Sequence, residues 1–149
     1  MTTSAETVAI RAVLDAVCQG HQDKDAAAIG KQFTTNAVIF DLAPPLAHRF
    51  DLPALSGWLD NWMGPISLEN HDFTIEVSGD LAFCHGFSKV SATTKVGGER
   101  AERWQRTSIC LRRIDGIWKI VHEHTSVPFH MDGSYRAAID LDPGFLSSS

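Results

Sequence analysis

Arg106, His122, Glu123 and His124 fall within one stretch, Trp104 to Pro128, where ionisable side chains interrupt apolar and β-branched runs. A guanidinium orients a carboxylate or an enolate with several fixed donors. A carboxylate withdrawn from water exchanges protons near neutral pH, and an imidazole titrates there unaided. If the Asp115-Gly116 turn sets the register, Arg106 and Glu123 are at comparable distances from the hairpin end and become cross-strand neighbours. Two readings of that pair stay open: a ligand-orienting guanidinium with its supporting carboxylate, or an ion pair that only satisfies buried charge. His85 interrupts the apolar run Ala82-Phe83-Cys84-His85-Gly86, where it could serve as acid or base or pack at a subunit interface.

His122 and His124 also form an HxH pair, a spacing used by zinc and iron sites. Such a site needs three or more convergent ligands. His85 is the one candidate third, and no Asp or Glu follows at suitable spacing, so no metal is expected. No GxSxG elbow, Walker sequence or dinucleotide fingerprint occurs, so neither a serine nucleophile nor a nucleotide cofactor is expected.

The elements that must position these groups begin with the hairpin. Asp-Gly supplies the positive backbone angles of a tight turn, here between runs rich in Ile, Val, Thr and Trp. With a side-chain period of two, Trp118, Ile120, His122, His124 and Ser126 share one face, and Lys119, Val121, Glu123, Thr125 and Val127 the other. Neither face is cleanly polar, which suggests one face against a core or interface and the other lining a cavity that carries a few polar groups. Glu123, His124 and Thr125 are this strand's candidates for it.

Upstream, Ser4 caps a helix running to Gly20, and Asp23 or Asp25 starts a second through Ile29 to Phe33. Ala37 to Phe40 is a short strand, Pro44-Pro45 breaks regular structure, and Asp51 with Pro53 opens a third helix ending near Gly64-Pro65. Extended stretches follow at Ile66 to Ser78, Leu81 to Val96, Arg100 to Ile114 and Ile117 to Val127. Residues 131–149 read as a partly ordered tail. Phe40, Trp62 and Trp104 are the aromatic candidates for the cavity wall. Helical spacing makes Trp58 and Trp62 core residues first, with Trp62 nearer the mouth.

The 149 residues, 44% hydrophobic and 21% charged, suit a single domain. A net charge of -5 without clustered Lys and Arg argues against nucleic acid or an anionic membrane, leaving small-molecule or protein partners. Cys18, Cys84 and Cys110 lie far apart without CxxC spacing, which fits reduced thiols in the cytoplasm.

Three segments carry a resemblance: FTTNAVIFDLAPPL at 33–46, GDLAFCHGFSKV at 79–90 and RWQRTSICLRRIDGIWKIVHEHTSVPF at 103–129. Over roughly residues 5–130 the chain resembles the SnoaL-like and ketosteroid-isomerase-like proteins of the nuclear-transport-factor-2-like superfamily. The third segment is also similar to the hub domain of calcium/calmodulin-dependent kinase II, a non-catalytic, oligomer-forming member. The resemblance implies an α+β cone, a curved mixed sheet wrapped around about three N-terminal helices, with a one-ended cavity and a homodimer. It implies a general base at Asp41, the isomerases' Asp at the end of the first short strand. The residue reading keeps an alternative, in which Asp41 caps the turn at Leu42-Ala43-Pro44. The isomerases' oxyanion-hole Tyr and Asp have no counterpart, since the single Tyr is Tyr135 and Trp104 to Arg113 contains no acid. Steroid isomerisation is therefore doubtful. Two function classes follow: a cofactor-independent acid–base enzyme (isomerase, cyclase, dehydratase or hydrolase), or a non-catalytic binding or oligomerisation module.

Overall fold

A computed structural model describes residues 4–144. Helix α1 (Ala5–Gln22) opens as the sequence predicts, with the Ser4 side chain accepting the Thr7 backbone N–H. It buries Ile10, Val13 and Leu14 along one stripe. Helix α2 (Ala26–Gly30) is capped by Asp25 on the Ala28 N–H, and stops short of the expected end because Phe33 already starts strand β1 (Phe33–Phe40). A two-residue strand β2 (His48–Arg49), unforeseen in the sequence, pairs antiparallel with β1. Helix α3 (Leu52–Asp60) carries its expected Asp51 cap and Pro53 in the first turn.

Four long strands complete the chain: β3 (Trp62–Ser78), β4 (Leu81–Thr94), β5 (Arg100–Ile114) and β6 (Ile117–Ser126). They form an antiparallel meander, and β1 joins β6 in parallel, giving one curved mixed sheet in the order β2-β1-β6-β5-β4-β3. This is the expected α+β cone. Register breaks at Met63/Ser67, His71/Thr74 and Cys110/Leu111 bend the strands, since each extra residue adds local twist. Gly86 is required at one bend: a Cβ there would stand 2.4 Å from the Phe73 ring and 2.9 Å from the His71 carbonyl oxygen.

The helices lie on the inner face and close the core around Ile10, Ile29, Leu59, Ile66, Leu111 and Ile120. Glu6 ties α1 to the sheet, accepting from Arg113 Nη1 at 2.6 Å and Trp118 Nε1 at 2.5 Å. Among the described residues no helix is long and apolar enough to cross a membrane.

One break corrects the expected faces of β6. Ile120 stands opposite Leu111 and His122 opposite Cys110, so Val121 is an extra residue that restarts the alternation. Beyond it Glu123 and Thr125 join Trp118 and Ile120 on the inner face. The tail to residue 144 is irregular, held by a bridge between Phe129 and Ala137. The rest of the expected tail lies outside the described residues.

Candidate functional site

Between the helices and the inner face of the sheet lies a cavity of about 380 Å³. Its two walls differ in chemistry. Leu14 and Val17 from α1, Ile29 from α2, and Leu55 and Trp58 from α3 make the helical wall largely apolar, with His21 of α1 as its polar exception. The sheet wall carries Asn70, Ser88, Arg103, Gln105, Thr107, Glu123 and Thr125 among its aliphatic residues. Asp41, at the end of β1, and His48 of β2 also line the cavity.

Glu123 is the most perturbed acid. Burial first, and the negative charge of Asp41 second, push its carboxyl up to about 7 from 4.5. A carboxyl half ionised at neutral pH can both take and return a proton. On the same wall burial pulls the Arg103 guanidinium down, opposed by the charge of Asp41. Arg103 Nε and Gln105 Oε1 are buried with no hydrogen-bond partner among the described residues. An unmet buried polar group costs about 1–3 kcal/mol, a cost that functional sites carry and cores avoid.

Asp41 lines the cavity and also starts the turn that the residue reading expected. Its Oδ1 accepts the Leu42 backbone N–H at 2.8 Å, which starts the turn, and its Oδ2 lies 3.8 Å from His48 Nε2. His48 Nδ1 sits 2.8 Å from the Arg49 carbonyl oxygen, so this nitrogen carries hydrogen.

His21, in α1, is a cavity residue that is not among the candidates named from the sequence. Its Nδ1 donates to the Val17 carbonyl at 2.8 Å, and burial lowers its pKa. The neutral ring therefore presents Nε2 as an acceptor. The available signal was helical spacing, because Leu14, Val17 and His21 fall on one face.

A hydrogen-bonded row crosses the sheet wall. Ser88 Oγ donates to Asn70 Oδ1 at 2.9 Å, so in its 2.9 Å contact with Thr107 it is Thr107 that donates. Asn70 Nδ2 donates to Cys18 Sγ at 3.4 Å. Burial, with Asp15 and Glu123 next, keeps that thiol protonated, up at about 11. Having spent its hydrogen, the Thr107 hydroxyl has only lone pairs left for a ligand. Thr125 stands opposite Thr107 in the ladder.

The other expected site residues are elsewhere. Arg106 is exposed, pairs with Ser126 and donates from Nε to its Oγ at 3.1 Å, while Glu123 pairs with Ile109. The expected Arg106–Glu123 neighbourship is thus corrected. The bulge displaces the register, and Arg103, three residues away and so on the opposite face, is the arginine that reaches the cavity. His85 is exposed and stacks on Phe83 at 6.2 Å. Phe40 meets His122 and His124 edge-on at 4.7 and 5.3 Å, outside the cavity lining. Trp104 lies against His71 and beneath Lys89. Trp62 lines a separate cleft. His122 Nδ1 is held at 2.7 Å by the Val38 carbonyl, and among the described residues no three His, Cys, Asp or Glu side chains are grouped to hold a metal ion.

Comparison with known proteins agrees with this architecture. No curated protein matches the chain. An NTF2-like protein of unknown function from Pseudomonas putida KT2440 is 25% identical, with a TM-score of 0.82 over 96% of this chain and 100% of that one. A candidate scytalone dehydratase from Novosphingobium aromaticivorans is 16% identical, with a TM-score of 0.72 over 89% and 91%. A candidate calcium/calmodulin-dependent protein kinase II association domain from Xanthomonas campestris is 14% identical, with a TM-score of 0.69 over 83% and 88%. At those last two identities the likeness is one of fold. The SnoaL-like domain model matches residues 10–130, a span that contains the whole sheet and every cavity-lining residue, and the chain belongs to the SnoaL-like family.

Proposed function

We propose that the protein is a cofactor-independent acid–base enzyme acting on a small, largely apolar molecule with a polar tip, and that Glu123 is its proton-transferring group. The observation carrying this reading is a cavity carboxyl raised to about 7 on the same wall as an arginine nitrogen and an amide oxygen that have no partner among the described residues. The apolar helical wall takes the body of the substrate. Glu123 takes a proton from the carbon beside a carbonyl, and Arg103 stabilises the negative oxygen that results. Glu123 then returns the proton to another carbon, which is isomerisation, or to a departing hydroxyl, which is dehydration. His21 Nε2 and Thr107 Oγ1, as acceptors, hold a substrate hydroxyl. Asp41 keeps the Glu123 pKa high through its charge. The candidate scytalone dehydratase among the structural neighbours has this fold and is consistent with lyase chemistry here.

The test uses small bicyclic aryl ketones in D2O, with deuterium uptake beside the carbonyl read by NMR. The wild type is expected to accelerate exchange, and Glu123→Gln to lose the roughly 10²–10⁴-fold typical of a general base. Acceleration that survives in Glu123→Gln contradicts the assignment. Saturable binding without any exchange would make the cavity a non-catalytic ligand site.

We also propose a homodimer through the outer face of the sheet. Leu81, Phe83, Ile114 and Ile117 are exposed there in one chain, and large apolar side chains on an uncovered sheet face suit an interface.

A further inference from the structure

Trp58 is the one residue shared by the linings of the cavity and of a second, smaller cleft of about 240 Å³. That cleft lies between the C-terminal end of α3 and the turn joining β4 to β5, and its other walls are Asn61, Trp62, Thr94, Lys95 and Val96. The Trp58 ring is the partition. It meets His21 edge-on at 6.1 Å on the cavity side and Trp62 edge-on at 6.1 Å on the cleft side.

Nothing locks this partition. Of α3 only Leu59 is buried, and Trp58 keeps about a third of its surface exposed. Its indole N–H makes no hydrogen bond among the described residues. Two residues of the cleft lining carry donors that are unmet. Among the described residues Trp62 Nε1 is buried with no acceptor and Lys95 has no carboxylate partner. Thr94, in contrast, is already satisfied, donating to the Val96 carbonyl at 2.9 Å and accepting the Glu99 N–H at 3.0 Å. A donor-only pair of an indole N–H and an ammonium suits a carboxylate, which accepts both.

We infer that the cleft is a second compartment of the same binding site. Trp58 swings aside to admit an elongated ligand whose apolar body fills the cavity and whose carboxylate tail is received by Trp62 Nε1 and Lys95. This deepens the proposed function by naming a substrate class, aryl or alicyclic acids with a flexible chain, and it rests on the cavity being a ligand site. It also returns Trp62 to ligand binding from the cleft side.

The probes are ω-phenylalkanoic acids with two to eight methylenes, measured by calorimetry against the primary alcohols of the same lengths. The wild type is expected to favour long acids over long alcohols, while short acids and short alcohols differ less. Trp62→Phe and Lys95→Met should each weaken the longest acids tenfold or more relative to the shortest, as expected for loss of a hydrogen bond to a charged group. Trp58→Ala should raise the ratio of long-acid to short-acid affinity, with gains approaching fourfold per added methylene buried. Lys95 is exposed, so its variant keeps the test decisive if Trp62→Phe perturbs folding. Long-to-short ratios that stay put in Lys95→Met and Trp58→Ala, with short acids still bound, overturn the second compartment and leave the cavity reading intact. Failure of every length to bind overturns both.

Discussion

Glu123 stands opposite Ile109 across the β5–β6 ladder, two residues beyond the bulge at Val121. Without that extra residue the alternation from Trp118 and Ile120 would send position 123 to the outer face. The bulge thus turns a carboxylate inward onto an apolar wall, where its ionised form is costly and its proton is held toward neutrality. Bulges that re-aim a side chain beside a site are a recurring device in sheets.

The same burial predicts how stability varies with pH. The folded-state pKa of Glu123 is raised to about 7 from 4.5, so between those values the folded chain binds more protons than the unfolded chain. Stability should therefore fall as pH rises from about 4.5 to 7, by at most about 3 kcal/mol from this group. Glu123→Gln removes the buried charge and should flatten that part of the profile, raising Tm at pH 8 by several degrees. Thermal melts of both proteins from pH 5 to 8 check it, and parallel profiles would deny the shift.

Asp41→Asn should leave stability nearly unchanged, because Asn also starts turns well and the 2.8 Å bond from the Leu42 N–H asks only for an oxygen. Its effect should be electrostatic. Loss of the negative charge is expected to lower the Glu123 midpoint, and with it the acidic limb of any rate profile, while burial, the larger cause, keeps it above the ordinary carboxylate range. A profile identical to wild type would disconnect the two acids.

Arg103 and Arg106 differ by three positions and by the face they occupy. Arg103→Gln should weaken binding of a carbonyl or anionic ligand by roughly tenfold or more, the usual scale for a hydrogen bond to a charged group. Arg106→Gln, which removes only the exposed contact to Ser126, should leave that affinity alone. Equal losses in the two variants would contradict the assignment of faces.

Assembly gives a separate expectation. Light scattering at micromolar concentration should report a dimer, and Phe83→Asp, which plants a charge among exposed apolar groups of the outer sheet face, should yield monomers. A monomeric wild type would contradict the interface.

Much of the fold was legible because local chemistry and the final structure agree. Ser4, Asp25 and Asp51 cap the helices they precede, and the Asp115-Gly116 turn separates the two strands expected of it, with positive φ at both residues. The Val121 bulge was not legible, since an extra residue shows only against its partner strand, and period-two counting through it sent His122 and Glu123 to the wrong faces. The same count places Arg106, rather than Arg103, on the face of Glu123. His21 lies near the end of α1, on one face with Leu14 and Val17, and a polar residue beside a helix end gives no sign of burial by itself. β2 is two residues long, too short for any periodicity, yet it carries His48 to within 3.8 Å of Asp41.

The central claim is that Glu123 is a cavity carboxyl poised near neutral pH. Its side-chain carbonyl carbon can be followed by 13C NMR as pH is raised, with Glu123→Gln assigning the resonance. The account predicts a midpoint near 7 that moves when an acid or ketone ligand fills the cavity. A midpoint near the ordinary glutamate value, unmoved by such ligands, would contradict it.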